Sequence, residues 1–166
     1  MPTSAQLSQY SINQYKKNKG TYLTGFKQFA DLYFNSVESN YEVEDVYEYV
    51  AQVTSGHFKY IIKNMNKSFA INLASVQVET GYARQLVRIY IVYDDVPFIP
   101  ESIRATLERL GYSIFRSALV ANQAIHMAGN TLSLEHVQSG GKTFYWLDVE
   151  AGNQTLSVKS MEPKNM

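Results

Sequence analysis

The segment Leu86-Val-Arg-Ile-Tyr-Ile-Val-Tyr93 constrains this chain more than any other. Only Arg88 interrupts it, and its β-branched and aromatic residues favour extended backbone. Successive side chains of a strand point to opposite faces, so a strand apolar at nearly every position must be covered on both sides. The segment Phe69-Ala-Ile-Asn-Leu-Ala-Ser-Val-Gln-Val78 reads as its neighbour. Thr80-Gly81-Tyr82-Ala83-Arg84 between them reads as a hairpin loop.

The rest of the chain must supply the covering layers. Ser4–Lys17 reads as a first helix with Leu7, Tyr10, Ile12 and Tyr15 on its inner side and Ser4 as N-cap. Lys16, Lys17 and Lys19 precede Gly20, which suits a helix end: cations face the negative pole and glycine takes the left-handed cap. Thr21–Val37 reads as a second helix, since Tyr22, Phe26, Phe29 and Tyr33 form one stripe that Leu23, Ala30 and Phe34 widen. Gly25 on that helix leaves room for another backbone. Glu38, Glu42, Glu44, Asp45 and Glu48 then give a solvated acidic face to a third helix over Tyr41–Val53.

From His57 the period changes to two, with Phe58, Tyr60 and Ile62 alternating with Lys59, Ile61 and Lys63, and His57–Lys63 is expected as a strand. Pro97 and Pro100 interrupt the chain before a helix over Glu101–Leu110. Ile103, Leu107 and Leu110 form its apolar face, Arg104 and Glu108 an i, i+4 pair, and Gly111 its end. Tyr112–Val120 reads as a strand, 121–129 as either strand or short helix. Leu132–Val137, Thr143–Val149 and Thr155–Val158 read as short antiparallel strands with turns at Ser139–Lys142 and Glu150–Gln154. The expected fold is α+β: N-terminal helices packed on a mostly antiparallel sheet with one inserted helix. It is expected to form a single domain over 1–160, with a helical region at 1–55, mainly β structure at 56–160, and a tail at 161–166.

Composition narrows function mainly by exclusion. Fifteen basic residues balance fifteen acidic ones in 166 residues, and only 18% are charged. Non-specific binding to nucleic acid or to a membrane surface needs an excess of positive charge. No run approaches the roughly 20 apolar residues of a membrane span, and the Met1-Pro2-Thr3-Ser4 start shows no secretory signal. The expectation is a soluble chain without membrane contact, intracellular or virion-associated. The absence of cysteine removes disulfides, thiolate nucleophiles and thiolate zinc sites. Thirteen tyrosines bring rigid side chains with a polar tip, a property shared by cores and interfaces.

Motifs for chemistry are sparse, and no cofactor is expected. Gly141-Lys142-Thr143 lacks the earlier glycine of a phosphate loop, His136 standing there, and a strand rather than a helix follows. His57, His126 and His136 share no metal-ligand spacing. Asp94-Asp95 closes the apolar strand, where two carboxylates are candidates to hold Mg²⁺ against a phosphodiester. Residues 87–118 run strand, Tyr93-Asp94-Asp95, helix, then Leu110-Gly111-Tyr112-Ser113-Ile114-Phe115. That order resembles the first half of the small CRISPR-associated nucleases. The second half of that fold is not recognisable, so membership does not follow.

All five arginines, Arg84, Arg88, Arg104, Arg109 and Arg116, fall in one stretch. Planar guanidinium groups suit carboxylate and phosphate partners, though Asp94, Asp95, Glu101 and Glu108 lie in the same stretch to pair with them. The leading functional expectation is a non-catalytic assembly or protein-interaction protein, with a viral structural component or a host-directed inhibitor as examples. Its partner is a second copy or another subunit, with Tyr82 and Arg84 of the hairpin as first contacts. A metal-dependent phosphodiesterase using Asp94 and Asp95, and a nucleic-acid or nucleotide-binding module using the arginines, are the alternatives.

Overall fold

The computed structural model describes residues 3–39, 46–80 and 82–151. They form helix α1 (Ser4–Lys17), helix α2 (Leu23–Ser36), a two-residue strand β1 (Glu38–Ser39) and helix α3 (Val46–Asn64). Strands β2 (Phe69–Thr80) and β3 (Tyr82–Asp94), helix α4 (Ile99–Arg109), and strands β4 (Tyr112–Ala128), β5 (Thr131–His136) and β6 (Lys142–Ala151) follow. The described strands make one antiparallel sheet in the order β1-β4-β6-β3-β2, with β5 continuing the pairing of β4. The architecture is α+β, with the N-terminal helices preceding the sheet.

Alternation along the central strands sorts the protein into two cores. Leu86, Tyr90 and Val92 of β3, Ala118 and Val120 of β4, and Phe144 and Trp146 of β6 face α1, α2 and α3. Val87, Ile89, Ile91 and Tyr93, with Tyr145, Leu147 and Val149, face the other way onto Leu107 of α4. Every residue from Leu86 to Tyr93 is buried, as its two-sided apolar pattern requires. The aromatic stripe of α2 fills the first core: Phe26, Phe29 and Tyr33 pack with Phe58, His57, Phe144 and Trp146.

Several local expectations change. His57–Lys63 is not a strand but the second half of α3. Val50, Val53, Thr54, His57, Phe58 and Ile61 are all buried at helical spacing, while Lys59 and Lys63 are exposed. A short apolar run fits either period, and the continuous stripe from Val50 decides for the helix. The start expected at Tyr41 and the acidic run at 40–45 lie outside the described residues, as do the strand at Thr155–Val158 and the tail at 161–166. The N-cap of α1 is Thr3, which accepts from Gln6 N–H while the Gln6 side chain accepts from Thr3 N–H. Lys19, not Gly20, is left-handed at φ 55. Gly20 instead lies against the Tyr15 ring, where a Cβ has no room. The expected loop at Thr80–Arg84 is almost all strand, since β2 and β3 stay in register out to Thr80 and Tyr82. Helix α4 starts two residues early, at Ile99, and Leu110 is exposed.

Gly25 marks a close approach of α2 to strand β5. A Cβ there would stand 2.8 Å from the backbone oxygen of Leu132 on β5. Gly→Ala in a free helix stabilises by about 0.5–1 kcal/mol. Here the sign should reverse: Gly25→Ala is expected to destabilise by about 1–3 kcal/mol through overpacking, read as a lower urea midpoint. A raised midpoint contradicts this packing.

Candidate functional site

The charged residues singled out by the sequence fall into two separate groups. The first is an ionic row on the helix-facing side of the sheet. Register places Arg88 of β3 and Arg116 of β4 on either side of Asp148 of β6, across three adjacent strands. Arg88 donates from Nε and Nη2 to the two carboxylate oxygens of Asp148, both at 3.0 Å. Trp146 Nε1 donates to the same carboxylate at 2.9 Å, and the Tyr49 hydroxyl of α3 donates to it from above. The Tyr49 ring also lies against both guanidinium groups, 5.3 Å from Arg88 and 4.8 Å from Arg116.

This row is closed to solvent: Asp148 and Arg116 are fully buried, and Arg88 nearly so. Burial alone would lower the Arg88 pKa, but the Asp148 charge and hydrogen bonds outweigh it and raise it. Burial and then the Asp148 charge drive the Tyr49 hydroxyl upward, so it remains a proton donor. Arg88 and Arg116 thus point into the protein rather than toward an anionic partner. Arg104 lies on the opposite side, donating to Ser117 at 2.8 Å beside an opening of about 320 Å³ lined by Pro100, Leu119 and Tyr145. Arg109 is exposed at the end of α4. The side chains of Tyr82 and Arg84 lie outside the described residues. The five arginines therefore form no single surface cluster among the described residues.

The second group surrounds the end of β3. Asp94 is exposed and paired with Lys142, whose ammonium also donates to the Lys67 carbonyl at 2.7 Å. Asp95 accepts from the Thr143 hydroxyl at 2.8 Å, and its N–H donates to the Gly141 carbonyl at 3.0 Å. Thr143 Oγ1 in turn accepts from Asn122 N–H, and Asn122 Oδ1 accepts from Gly141 N–H. Asn122 makes this possible by sitting in a left-handed bulge of β4 at φ 58. The two carboxylates are drawn to different partners, and no three metal-ligating side chains gather among the described residues. Asp94-Asp95 is a junction that ties β3 to the β5–β6 loop.

Asp148 and Tyr49 did not stand out in the sequence. The available signal was a lone acid in the apolar run Phe144-Tyr-Trp-Leu-Asp-Val149, matched by a lone Arg88 in the run before it. Single opposite charges in two buried strands have to find each other. His57 is a further buried polar group, stacked on Tyr90 with ring centroids 4.9 Å apart, its Nε2 3.3 Å from the Ile91 carbonyl. Burial pulls its pKa from 6.5 down to about 3.

Two outcomes follow for stability. Asp148→Asn leaves Arg88 buried without its counter-charge and should cost about 3–5 kcal/mol, whereas exposed Arg109→Ala should change stability by under about 0.5 kcal/mol. Equal, small effects in chemical denaturation contradict the role of the row. For His57, the unfolded chain takes up a proton as pH falls through 6.5, while the folded chain stays neutral to about 3. The stability contribution is therefore whole above 6.5 and lost progressively between 6.5 and 3. His57→Phe should flatten that part of the stability–pH curve; an unchanged slope would show that His57 does not set it.

The family model described as glutamate dehydrogenase, ACT1 domain, matches residues 29–137, well over half of the chain. The match runs from α2 through β5 and includes Tyr49, Arg88 and Arg116, but stops short of β6 and Asp148. No curated protein and no solved structure matches the chain. The chain belongs to the glutamate dehydrogenase ACT1 domain family.

Proposed function

We propose that this chain is a non-catalytic protein-interaction domain that works as part of a glutamate dehydrogenase assembly. The observation that carries the reading is the outer edge of β2. This strand is uncharged from Phe69 to Val78, and nothing described pairs with its outer side. Phe69 and Ile71 on it are 48% and 50% exposed. Val96 (46% exposed) and Phe98 (73%) lie in the segment that leaves the same end of the sheet. Phe98 is held in left-handed backbone at φ 70, an unusual conformation for an aromatic residue and one that concentrates at functional positions.

Hydride transfer calls for a dinucleotide site, which dehydrogenases build at a switch point of a parallel sheet. All strand pairs described here are antiparallel. The dehydrogenase chemistry named by the family is therefore assigned to other parts of such an assembly. Asp94 and Asp95, which a phosphodiesterase would use, are bonded to Lys142 and Thr143, and Arg88, which a nucleic-acid module would use, is bonded to Asp148. No helix among the described residues is long and apolar enough to cross a membrane.

The purified chain should be retained by immobilised glutamate dehydrogenase from the same organism. It should turn over no DNA, RNA or cyclic dinucleotide with Mg²⁺ or Mn²⁺. Metal-dependent cleavage by the natural chain that disappears in Asp94→Asn would replace this reading with the phosphodiesterase one.

A further inference from the structure

Positive charge gathers at one end of the helical layer. The rings of Tyr15, Phe26 and Phe58 meet there, with centroids 3.8 Å apart for Tyr15–Phe26, 5.9 Å for Tyr15–Phe58 and 5.3 Å for Phe26–Phe58. They join the end of α1, the start of α2 and the second half of α3. Each ring is followed directly by an exposed lysine: Lys16, Lys27 and Lys59. Lys17, Lys19 and Lys63 are exposed beside them. No aspartate or glutamate occurs from 14 to 28 or from 51 to 64. None of these lysines is paired with a carboxylate among the described residues. On a chain without net charge, this end carries a one-sign field that nothing described neutralises.

A groove leads into the same end. α1 and α3 run side by side in one direction, since Tyr10 meets Tyr47 near their starts and Tyr15 meets Phe58 further along. The opening between them, about 190 Å³, is floored by Ala51 and lined by Gln14, Asn18, Gln52 and Ser55. It runs from Glu48 to Lys59, about 16 Å of helix, the length of about five residues of extended chain. Amides and hydroxyls both donate and accept, as the N–H and C=O groups of an extended peptide require.

We infer that the α1–α3 groove docks an acidic, extended segment of a partner protein, its main chain along the amides and its carboxylates toward the lysines. This goes beyond the interaction-domain reading, because the surface lies on the helical layer and is chemically unlike the apolar edge of β2. The lysines select an anionic partner. The lining selects peptide among anionic partners. The planar guanidinium fork that suits phosphate is missing, since all five arginines lie on β3, α4 and β4. Segments 14–28 and 51–64 carry none of the exposed large apolar side chains, which leaves nothing there to enter a lipid surface.

The probe is a fluorescein-labelled peptide of about eight residues, alternating glutamate and serine, with lysine replacing glutamate in its control. In fluorescence anisotropy the natural chain should bind the acidic peptide and not the control, and about tenfold more weakly in about 0.5 M salt. Lys59→Glu should weaken binding at least about fivefold. Arg109→Glu makes the same change in net charge at the exposed end of α4 and should weaken it less than about twofold. Asn18→Ala with Gln52→Ala removes two amides at exposed positions and no charge, and should weaken binding about fivefold. No binding of the acidic peptide, or equal effects of Lys59→Glu and Arg109→Glu, overturns the inference. Binding indifferent to loss of the two amides overturns the groove as the docking place. Tighter binding of an oligouridylate of similar length, or of vesicles with about a fifth phosphatidylserine, overturns peptide as the occupant. Retention by glutamate dehydrogenase decides the interaction-domain reading separately from each of these results.

Discussion

The carboxylate of Asp148 is the point on which the helix-facing half of this structure depends. It sits in the central strand β6 and receives hydrogen bonds from β3, from α3 and from its own strand. A buried carboxylate carries a large desolvation cost, and only a full set of donors with an opposite charge offsets it. That requirement fixes more than one pair. It sets the register of β3 against β6, since a slip by one residue would turn Arg88 to the other face. It also sets where α3 crosses the sheet, because Tyr49 must reach the carboxylate while its ring covers both arginines.

The rest of the packing is consistent with that anchoring. Tyr90, next but one to Arg88 on the same face, donates its hydroxyl to the Val53 carbonyl of α3 at 3.2 Å. A Cβ at Gly56 would stand 2.6 Å from that hydroxyl, so glycine lets the helix lie close above the strand. α3 is thus tied to the sheet at Tyr49 by charge and at Val53 to His57 by close aromatic packing. The opposite face relies on apolar contact with α4 and carries no comparable buried ion row among the described residues. Polar specificity on one face and apolar cover on the other leave the outer edge of β2 as the uncommitted part of the sheet.

How much of this was legible depends on whether the signal was local. β3 declared itself because eight consecutive residues had to be covered on both faces, and α2 because its aromatic stripe had only one period. Gly111 marked the end of α4, adopting φ 87. The run from His57 fits either period on its own, because Phe58, Tyr60, Ile61 and Ile62 satisfy both until the buried stripe from Val50 is included. The arginines were legible as a group, but their directions were not. Arg88 and Arg116 turn inward because register brings them beside Asp148, and register is a property of three strands whose paired residues are spread from position 88 to position 148. Asp94 and Asp95 are adjacent in sequence as a metal pair would be, yet adjacent residues of an extended chain face apart, and each has its own partner.

The single tryptophan makes the central claim directly measurable. Its indole N–H bonds to Asp148 at 2.9 Å in a site closed to water, so the chain should give one indole resonance in an amide–nitrogen correlation spectrum. Exchange of that proton with deuterium should proceed only through global unfolding, slowing and quickening with denaturant as the most protected amides of β3 and β6 do. An indole proton that exchanges within seconds while those amides stay protected would show that the Asp148 row is open to solvent, and would contradict the account.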